Sequence, residues 1–131
     1  MALVIDLKPH EKILIGNAVI TNDKQRTRLH IAGEAAIMRE KDVMQEEDTD
    51  TPCKKIYFLI QCMYLARNPN EYHDRYFDQV KIVQKASPSC IIFFTQIGEH
   101  IVGGYYYKAL KTAKELIKHE KELLENVQAA E

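Results

Sequence analysis

The sequence predicts an α+β protein, with a small N-terminal antiparallel β-sheet or barrel followed by a C-terminal part of four helices. Two observations lead to this fold class. Over about the first 45 residues, apolar and polar side chains alternate with a period of two, which is typical of half-buried strands. Beyond that point apolar residues recur at three- and four-residue steps, and a capping residue followed by proline recurs along the chain, which is typical of helices.

Five short strands are predicted in the N-terminal part. They cover about 3–7, 12–15, 18–21, 26–32 and 35–38. Gly16-Asn17 suits a tight turn between the second and third strands. The fourth strand alternates most clearly, because Thr27, Leu29 and Ile31 point to the side opposite its basic residues. A sheet of this size encloses little core, so we expect it to need the second half of the chain or a second subunit.

Four helices are predicted in the C-terminal part, over 52–67, 69–85, 88–102 and 105–128. The first three share a capping side chain placed directly before a proline, in Thr51-Pro52, Asn68-Pro69 and Ser87-Pro88. Glu71 completes a capping-box pattern with Asn68, and Gly103-Gly104 ends the third helix. We therefore predict three segments: a β region over 1–44, an acidic linker over 45–51 and a helical region over 52–131.

Composition and charge exclude several classes of protein. The chain has 131 residues, of which 28% are charged, and its 18 basic and 19 acidic side chains give a net charge of -1. This balance argues against a disordered chain and against binding nucleic acid by bulk charge. No apolar run approaches the roughly 20 residues of a membrane-spanning helix, and the first apolar stretch is too short for a signal peptide. With three cysteines in apolar surroundings, we expect a cytoplasmic protein with reduced, buried thiols.

The sequence contains no motif that carries catalysis. A phosphate-binding loop, a dinucleotide-binding glycine pattern and a nucleophile elbow are all absent. The five histidines form no pair at metal-binding spacing, and Cys53 and Cys62 do not match a zinc site. We therefore expect no enzymatic activity, no metal and no cofactor.

The candidate binding site is the basic face of the fourth strand. Arg26, Arg28 and His30 are two residues apart, so they project from one face at steps of about 7 Å. That step is close to the phosphate spacing along an extended nucleic-acid strand, about 6–7 Å. Further basic residues lie nearby, namely Lys24, Arg39 and Lys41. The alternative is that a half-exposed sheet needs a polar face of some kind and that these residues supply it.

Three short blocks of the N-terminal part form a pattern, namely Glu11-Lys12-Ile13-Leu14-Ile15-Gly16-Asn17, Arg28-Leu29-His30-Ile31-Ala32 and Ile37-Met38-Arg39-Glu40. This pattern resembles the carbon storage regulator (CsrA) family of small β-rich dimers that bind messenger RNA. The resemblance implies that Arg39 contacts RNA, because it occupies the place of the family's RNA-binding arginine. Leu7 and Lys8 stand where that family has two basic residues, so half of that basic surface is missing here.

A larger set of blocks is spread over most of the chain. The blocks are Leu7-Lys8-Pro9, Ile15-Gly16-Asn17-Ala18-Val19-Ile20-Thr21-Asn22, Gly33-Glu34-Ala35, Arg39-Glu40-Lys41-Asp42, Asp50-Thr51-Pro52-Cys53-Lys54-Lys55-Ile56-Tyr57 and Tyr107-Lys108-Ala109-Leu110-Lys111. Together they are similar to the FlbT family of flagellin regulators. This resemblance implies a post-transcriptional repressor of flagellin synthesis. Such proteins associate with the 5′ untranslated leader of flagellin mRNA and promote its degradation.

Two hypotheses about partners follow. In the first, the sheet binds the flagellin mRNA leader, with Lys24, Arg26, Arg28, Arg39 and Lys41 near the phosphates and His30 against a base. In the second, the helical part binds a flagellin, a flagellin chaperone or another flagellar regulator, and the effect on mRNA is indirect. The second would use tyrosines and a methionine, Met63, Tyr64, Tyr105, Tyr106 and Tyr107. In either case we expect a homodimer and no contact with a membrane.

Overall fold

A computed structural model describes residues 2–130, and the side chains of residues 3–127. Within this range five strands precede four α-helices, which confirms the predicted α+β class. The chain divides into two units, Met1–Val43 and Met44–Glu131. The strands lie in the first unit and the helices in the second.

The first unit contains two small antiparallel sheets. Its strands are β1 (Ala2–Leu7), β2 (Lys12–Ile15), β3 (Ala18–Thr21), β4 (Thr27–Ala32) and β5 (Ile37–Arg39). Strand β1 pairs with β4, and the other sheet has the order β3-β2-β5. The β2–β3 hairpin turns at Gly16-Asn17 as predicted, and Gly16 has a φ of 58°, a conformation that favours glycine.

Two of the predicted strand boundaries need correction. Arg26 lies before β4 instead of inside it, because the ladder with β1 ends where Leu7 pairs with Thr27. Strand β5 begins two residues later than predicted and contains Arg39, because Ile13 of β2 pairs with Arg39. In both places the partner strand, which local alternation does not reveal, decides where pairing ends.

Both sheets contribute to one small apolar core. Ile5 and Leu7 of β1 and Ile13 of β2 are buried together. Partly buried aliphatic side chains pack around these three, namely Ile15, Leu29, Ile31 and Ile37. The alternation predicted for the first and fourth strands therefore points the expected residues inward.

The side chain of Asn22 organises the loops at one end of this unit. Its Nδ2 donates hydrogen bonds to the carbonyl oxygens of Leu7 at 3.3 Å, Lys8 at 2.8 Å and Gln25 at 2.9 Å. These carbonyls belong to the end of β1 and to the loop before β4, so one amide holds both segments.

We expect Asn22→Asp to lower the free energy of unfolding by about 1–3 kcal/mol, because the carboxylate cannot donate to these three carbonyls. Urea denaturation followed by circular dichroism measures the effect. Asn70→Asp makes the same charge change at an exposed residue of the second unit and serves as the control. Equal losses for the two variants would contradict the role given to Asn22.

The second unit contains four α-helices, α1 (Pro52–Leu65), α2 (His73–Ala86), α3 (Ile91–Val102) and α4 (Tyr106–Ala130). The predicted cap of α1 is confirmed, since the Thr51 side chain accepts a hydrogen bond from Lys54 N at 3.2 Å and Pro52 follows at the first helical position. No helix among the described residues is long and apolar enough to cross a membrane.

The predicted starts of α2 and α3 need correction. Asn68-Pro69 and Ser87-Pro88 open short 3-10 turns, Pro69–Tyr72 and Pro88–Cys90, and the α-helices begin after them. The Asn68 side chain accepts from Asn70 N at 3.3 Å, whereas the Ser87 side chain makes no cap bond. Proline fits the first position of either kind of turn, so the motif marks a start without specifying the helix type.

The helical core gathers aliphatic and aromatic side chains from all four helices. Its members include Ile56, Ile60, Met63, Tyr76, Val83, Phe94, Ile97, Leu110, Ala113 and Leu116. Apolar residues recur along α4 at three- and four-residue steps and form a stripe, which consists of Tyr106, Leu110, Ala113, Ile117, Leu124 and Val127. Leu110 and Ala113 of this stripe are buried, whereas Leu124 and Val127 are exposed. Glu120, which interrupts that stripe, accepts a hydrogen bond from Cys53 N at 3.0 Å. A carboxylate thus satisfies a backbone N–H in the first turn of α1, where the helix dipole favours negative charge.

The acidic segment before α1 has local structure. It forms a 3-10 turn, Glu46–Asp48, and Asp50 pairs with Lys54 at 2.9 Å. Just before it, Met44 N donates to Oε1 of the buried Gln61 at 2.8 Å, and Gln61 Nε2 donates back to Met44 O at 2.9 Å. These bonds attach the start of the second unit to α1.

Candidate functional site

The two-stranded sheet presents a charged face, which consists of Val4, Asp6, Arg28 and His30. The register places Asp6 directly opposite Arg28 and Val4 directly opposite His30, and all four side chains are exposed. Side chains alternate between the faces of a sheet, so this face is opposite the one that buries Ile5. We call it the charged strand face.

Asp6 and Arg28 form an ion pair on this face. Arg28 Nε donates to Asp6 Oδ1 at 2.8 Å, and Nη2 donates to Oδ2 at 3.4 Å. The side chains are 65% (Arg28) and 62% (Asp6) exposed, so water screens the pair and it adds little to stability. Its effect is geometric, because two hydrogen bonds orient the Arg28 guanidinium on Asp6 of the neighbouring strand.

Arg39 reaches the same place from the other sheet. Its Nη2 donates to the backbone oxygen of Asp6 at 2.7 Å, which joins β5 to β1. The hydrogen bond from Arg28 and the positive charges of Arg28, Arg39 and Arg26 lower the pKa of Asp6. Arg28 therefore binds the ionised Asp6 carboxylate, Arg39 binds its backbone oxygen, and Arg26 adds a positive charge that acts on the carboxylate; we call these three residues the arginine cluster.

The six predicted site residues do not all come together. Arg26, Arg28 and Arg39 are the cationic side chains that act on Asp6, and His30 lies two residues along β4 from Arg28. Lys24 lies in the loop before β4 and Lys41 in the 3-10 turn Glu40–Asp42. Both lysines are exposed, and neither is among the charges that shift the pKa of Asp6.

Sequence reasoning missed Asp6 as a member of the site. Alternation along β1 does place it on the exposed side, between Ile5 and Leu7. Which residues contact Asp6, however, depends on the β1–β4 register and on the approach of β5, and the local sequence pattern predicts neither. The Asp6 carboxylate lowers the positive charge of the predicted basic surface and orients the Arg28 side chain.

The described residues hold few groups suited to chemistry. No group of three or more His, Cys, Asp or Glu side chains in this part of the chain could hold a metal ion. Cys53, Cys62 and Cys90 are free thiols, and burial together with Glu120 raises the pKa of Cys53, which keeps that thiol uncharged. Ser89 Oγ lies 3.1 Å from His119 Nε2, and the imidazole also faces the Phe93 ring at 5.2 Å.

The fold and the arginine cluster define the class, a small two-unit α+β protein with a cationic group fixed on an exposed strand face. Residues 3–124 match the family model described as flagellar protein FlbT. The chain belongs to the FlbT family, as its sequence blocks indicated.

Relatives in several bacteria share most of the chain. A protein of Bradyrhizobium diazoefficiens, named probable flagellum biosynthesis repressor protein FlbT 1, is 44% identical over 124 residues, covering 94% of this chain and 85% of its own. The probable flagellum biosynthesis repressor protein FlbT of Rhodopseudomonas palustris is also 44% identical, covering 95% of this chain and 98% of its own. The flagellum biosynthesis repressor protein FlbT of Caulobacter vibrioides is 33% identical, covering 97% and 92%. No solved structure matches the chain.

Proposed function

We propose that this protein is a post-transcriptional repressor of flagellin synthesis, which binds the 5′ untranslated region of flagellin mRNA and promotes its degradation. The names of the relatives support a role in repression of flagellum biosynthesis. The arginine cluster is the observation that supports RNA as the target. Three positive side chains act on one carboxylate, so positive charge is in local excess on a chain whose net charge is only -1.

The cluster suits phosphate binding because its arginines keep unused donors. A guanidinium has five N–H donors, and Arg28 uses two nitrogens and Arg39 one in the bonds to Asp6. Each guanidinium thus has more N–H donors than its bonds to Asp6 use, and such donors bind phosphate oxygens of RNA. Asp6 holds the guanidinium groups in position, so less side-chain entropy is lost when RNA binds.

Unpaired bases of the RNA would contact His30 and Val4, the other two residues of the charged strand face. His30 and Val4 are exposed and directly opposite each other on the paired strands. An imidazole ring beside an aliphatic side chain forms a surface on which a base can stack. In this proposal the protein contributes binding only, and cellular ribonucleases carry out the degradation.

Direct binding of the purified full-length protein to a flagellin leader RNA, measured over a range of salt concentrations, tests the proposal. We expect the logarithm of the association constant to fall linearly with the logarithm of salt concentration, by about 0.7 for each phosphate contacted on a single strand. A protein that shows no RNA binding, yet retains a flagellar protein after nuclease treatment, would instead support the protein-interaction hypothesis.

In the structure, fewer of the five residues suggested for the protein-interaction hypothesis are exposed than that hypothesis assumes. Met63 is 0% exposed and belongs to the helical core, so it cannot contact a partner. Tyr64 and Tyr106 are partly buried, whereas Tyr105 and Tyr107 are exposed. A flagellin, a chaperone or another regulator would therefore meet mainly Tyr105 and Tyr107.

The variant Asp6→Asn tests whether Asp6 orients the arginine cluster or only lowers its positive charge. The variant removes the ion pair with Arg28 and raises the local charge by one. We expect tighter binding to unrelated RNA and a several-fold smaller ratio of leader to scrambled-RNA affinity, because charge supplies affinity and fixed geometry supplies discrimination. Competition binding with the two RNAs measures that ratio. An unchanged ratio would show that Asp6 does not orient the RNA-binding arginines.

A further inference from the structure

The helical unit carries a second group of aromatic and basic side chains, near the start of α4. It consists of the exposed Tyr105, Tyr107, Lys108 and Lys111 and the partly buried Tyr64 of α1, and we call it the tyrosine–lysine patch. Tyr105 is 58% exposed and Tyr107 is 48% exposed, so both rings are accessible to a partner. Neither ring is needed for the arginine cluster, which belongs to the other unit.

The Tyr105 ring lies close to the backbone of Gly103 and to the side chain of Lys108. A Cβ atom built on Gly103 would lie 2.7 Å from Cδ2 and Cε2 of the ring, so only glycine allows the ring to rest on this backbone. Lys108 Nζ lies 4.9 Å from the ring centroid on a flexible side chain. The turn at Gly103-Gly104, with Gly104 at a φ of 79°, therefore supports an exposed aromatic ring.

The Tyr107 ring is supported in a related way. It contacts Tyr64 of α1, with ring centroids 6.2 Å apart and an angle of 47° between the planes. Lys111 Nζ lies 5.0 Å from its centroid. Two rings, each with a lysine close to it, thus lie two residues apart where α4 begins.

The charge of this region is positive along the helix. From Ile101 to Lys114 the sequence contains no carboxylate side chain, while Lys108 and Lys111 are exposed. Lys118 and Lys121 continue the row along α4 and are exposed as well. With a rise of about 1.5 Å per residue, the row from Lys108 to Lys121 extends about 20 Å, the length of about three phosphates of an extended strand.

We propose that the tyrosine–lysine patch is a second contact surface for single-stranded RNA, with bases stacked on Tyr105 and Tyr107 and phosphates bound by the lysines. This inference rests on the proposed function and adds a site to it. Proteins that bind single-stranded nucleic acid without strict sequence preference combine aromatic rings with basic side chains in this way. When bases stack on the two rings, Lys108 and Lys111 would move away from the rings and bind phosphates, because lysine side chains are long and flexible.

The charge part of the proposal is tested with Lys108→Ala/Lys111→Ala in the full-length protein, using a flagellin leader RNA and an oligouridine. We expect the affinity for both RNAs to fall about tenfold at low salt, and the salt slope to fall by about 1.4, the value for two contacts with a single strand. Lys81→Ala/Lys85→Ala removes the same charge from exposed positions of α2 and should change neither quantity appreciably. Equal effects of the two double variants would overturn the proposal.

The stacking part is tested with Tyr105→Ala against Tyr105→Phe. Loss of the ring should weaken binding at least about fivefold, because a base stacked on an aromatic side chain contributes to affinity. The phenylalanine variant keeps the ring and should stay within about twofold of the original protein, as the hydroxyl plays no part in stacking. Circular dichroism checks that both variants fold, and weakening of both by the same factor would contradict stacking.

The outcomes separate this inference from the proposed function. If the unchanged protein binds leader RNA and the patch variants bind equally well, the patch is not an RNA site and the proposed function stands. If the unchanged protein binds neither leader RNA nor oligouridine, both fail. If the patch variants keep RNA binding but lose an acidic protein partner, the surface belongs to a protein interaction and the inference is wrong.

Discussion

Arg26→Ala/Arg28→Ala lowers the affinity for flagellin leader RNA by about tenfold or more, and it lowers the salt slope by about 1.4, if the arginine cluster contacts two phosphates. Both side chains are exposed, and the pair between Arg28 and Asp6 is a surface ion pair. Such pairs contribute about 0–1 kcal/mol, so the thermal midpoint should hardly change. Gel shifts across salt concentrations, together with a melting curve, measure both effects.

A matched arginine control exists in the helical unit. Arg67→Ala/Arg75→Ala removes the same two guanidinium groups from exposed positions and changes the net charge equally. We expect this control to bind leader RNA within about twofold of the original protein, because screened charges outside the contact add little at physiological salt. If both double variants weaken binding alike, bulk charge and not the strand face determines the affinity. If neither does, the arginine cluster is not the site.

The largest effect on stability should come from the core of the helical unit. Ile60 is 0% exposed on α1, and Ile60→Ala should lower the free energy of unfolding by about 2–5 kcal/mol, through lost burial and the cavity left behind. That is a large share of the total stability of a domain of this size. Thermal and urea unfolding followed by circular dichroism measure it.

Ile82→Ala makes the same chemical change on α2, at a side chain that is 56% exposed. Its cost should be within about 0.5 kcal/mol, because a surface substitution creates no cavity. A small loss for Ile60→Ala, equal to that of the control, would mean that the helices do not pack as described. Because Ile60 lies in the second unit, this experiment also reports on that unit without touching the charged strand face.

The fold class and most elements were predictable because they depend on local chemistry. Thr51-Pro52 begins α1 through a side-chain cap and a proline that needs no hydrogen bond, and both act within four residues. Gly16 turns the β2–β3 hairpin because its own backbone tolerates a positive φ. Alternation along β1 and β4 orients Ile5 and Leu29 toward the core without reference to any distant residue.

The candidate site was predictable only in part. The spacing of Arg28 and His30 places them on one face, and this holds in the structure. The carboxylate that pairs with Arg28 comes from 22 residues earlier, and the backbone oxygen bound by Arg39 from 33 residues earlier. Hydrogen bonds over such separations depend on strand register and on the approach of two sheets, and local periodicity specifies neither.

Sequence alone thus determined the order of the strands and helices and where most turns lie, because propensity, capping and alternation act over a few residues. Sequence blocks spread along the chain also indicated the family. Tertiary structure decided which of the predicted basic residues act on the same group and which atoms Asp6 and Glu120 bind. Asp6 became the centre of the arginine cluster, and Glu120, a break in an apolar stripe, became a partner for the first turn of α1. In both cases an isolated carboxylate gained its role from atoms brought to it by packing, since charge interacts with what is near in space.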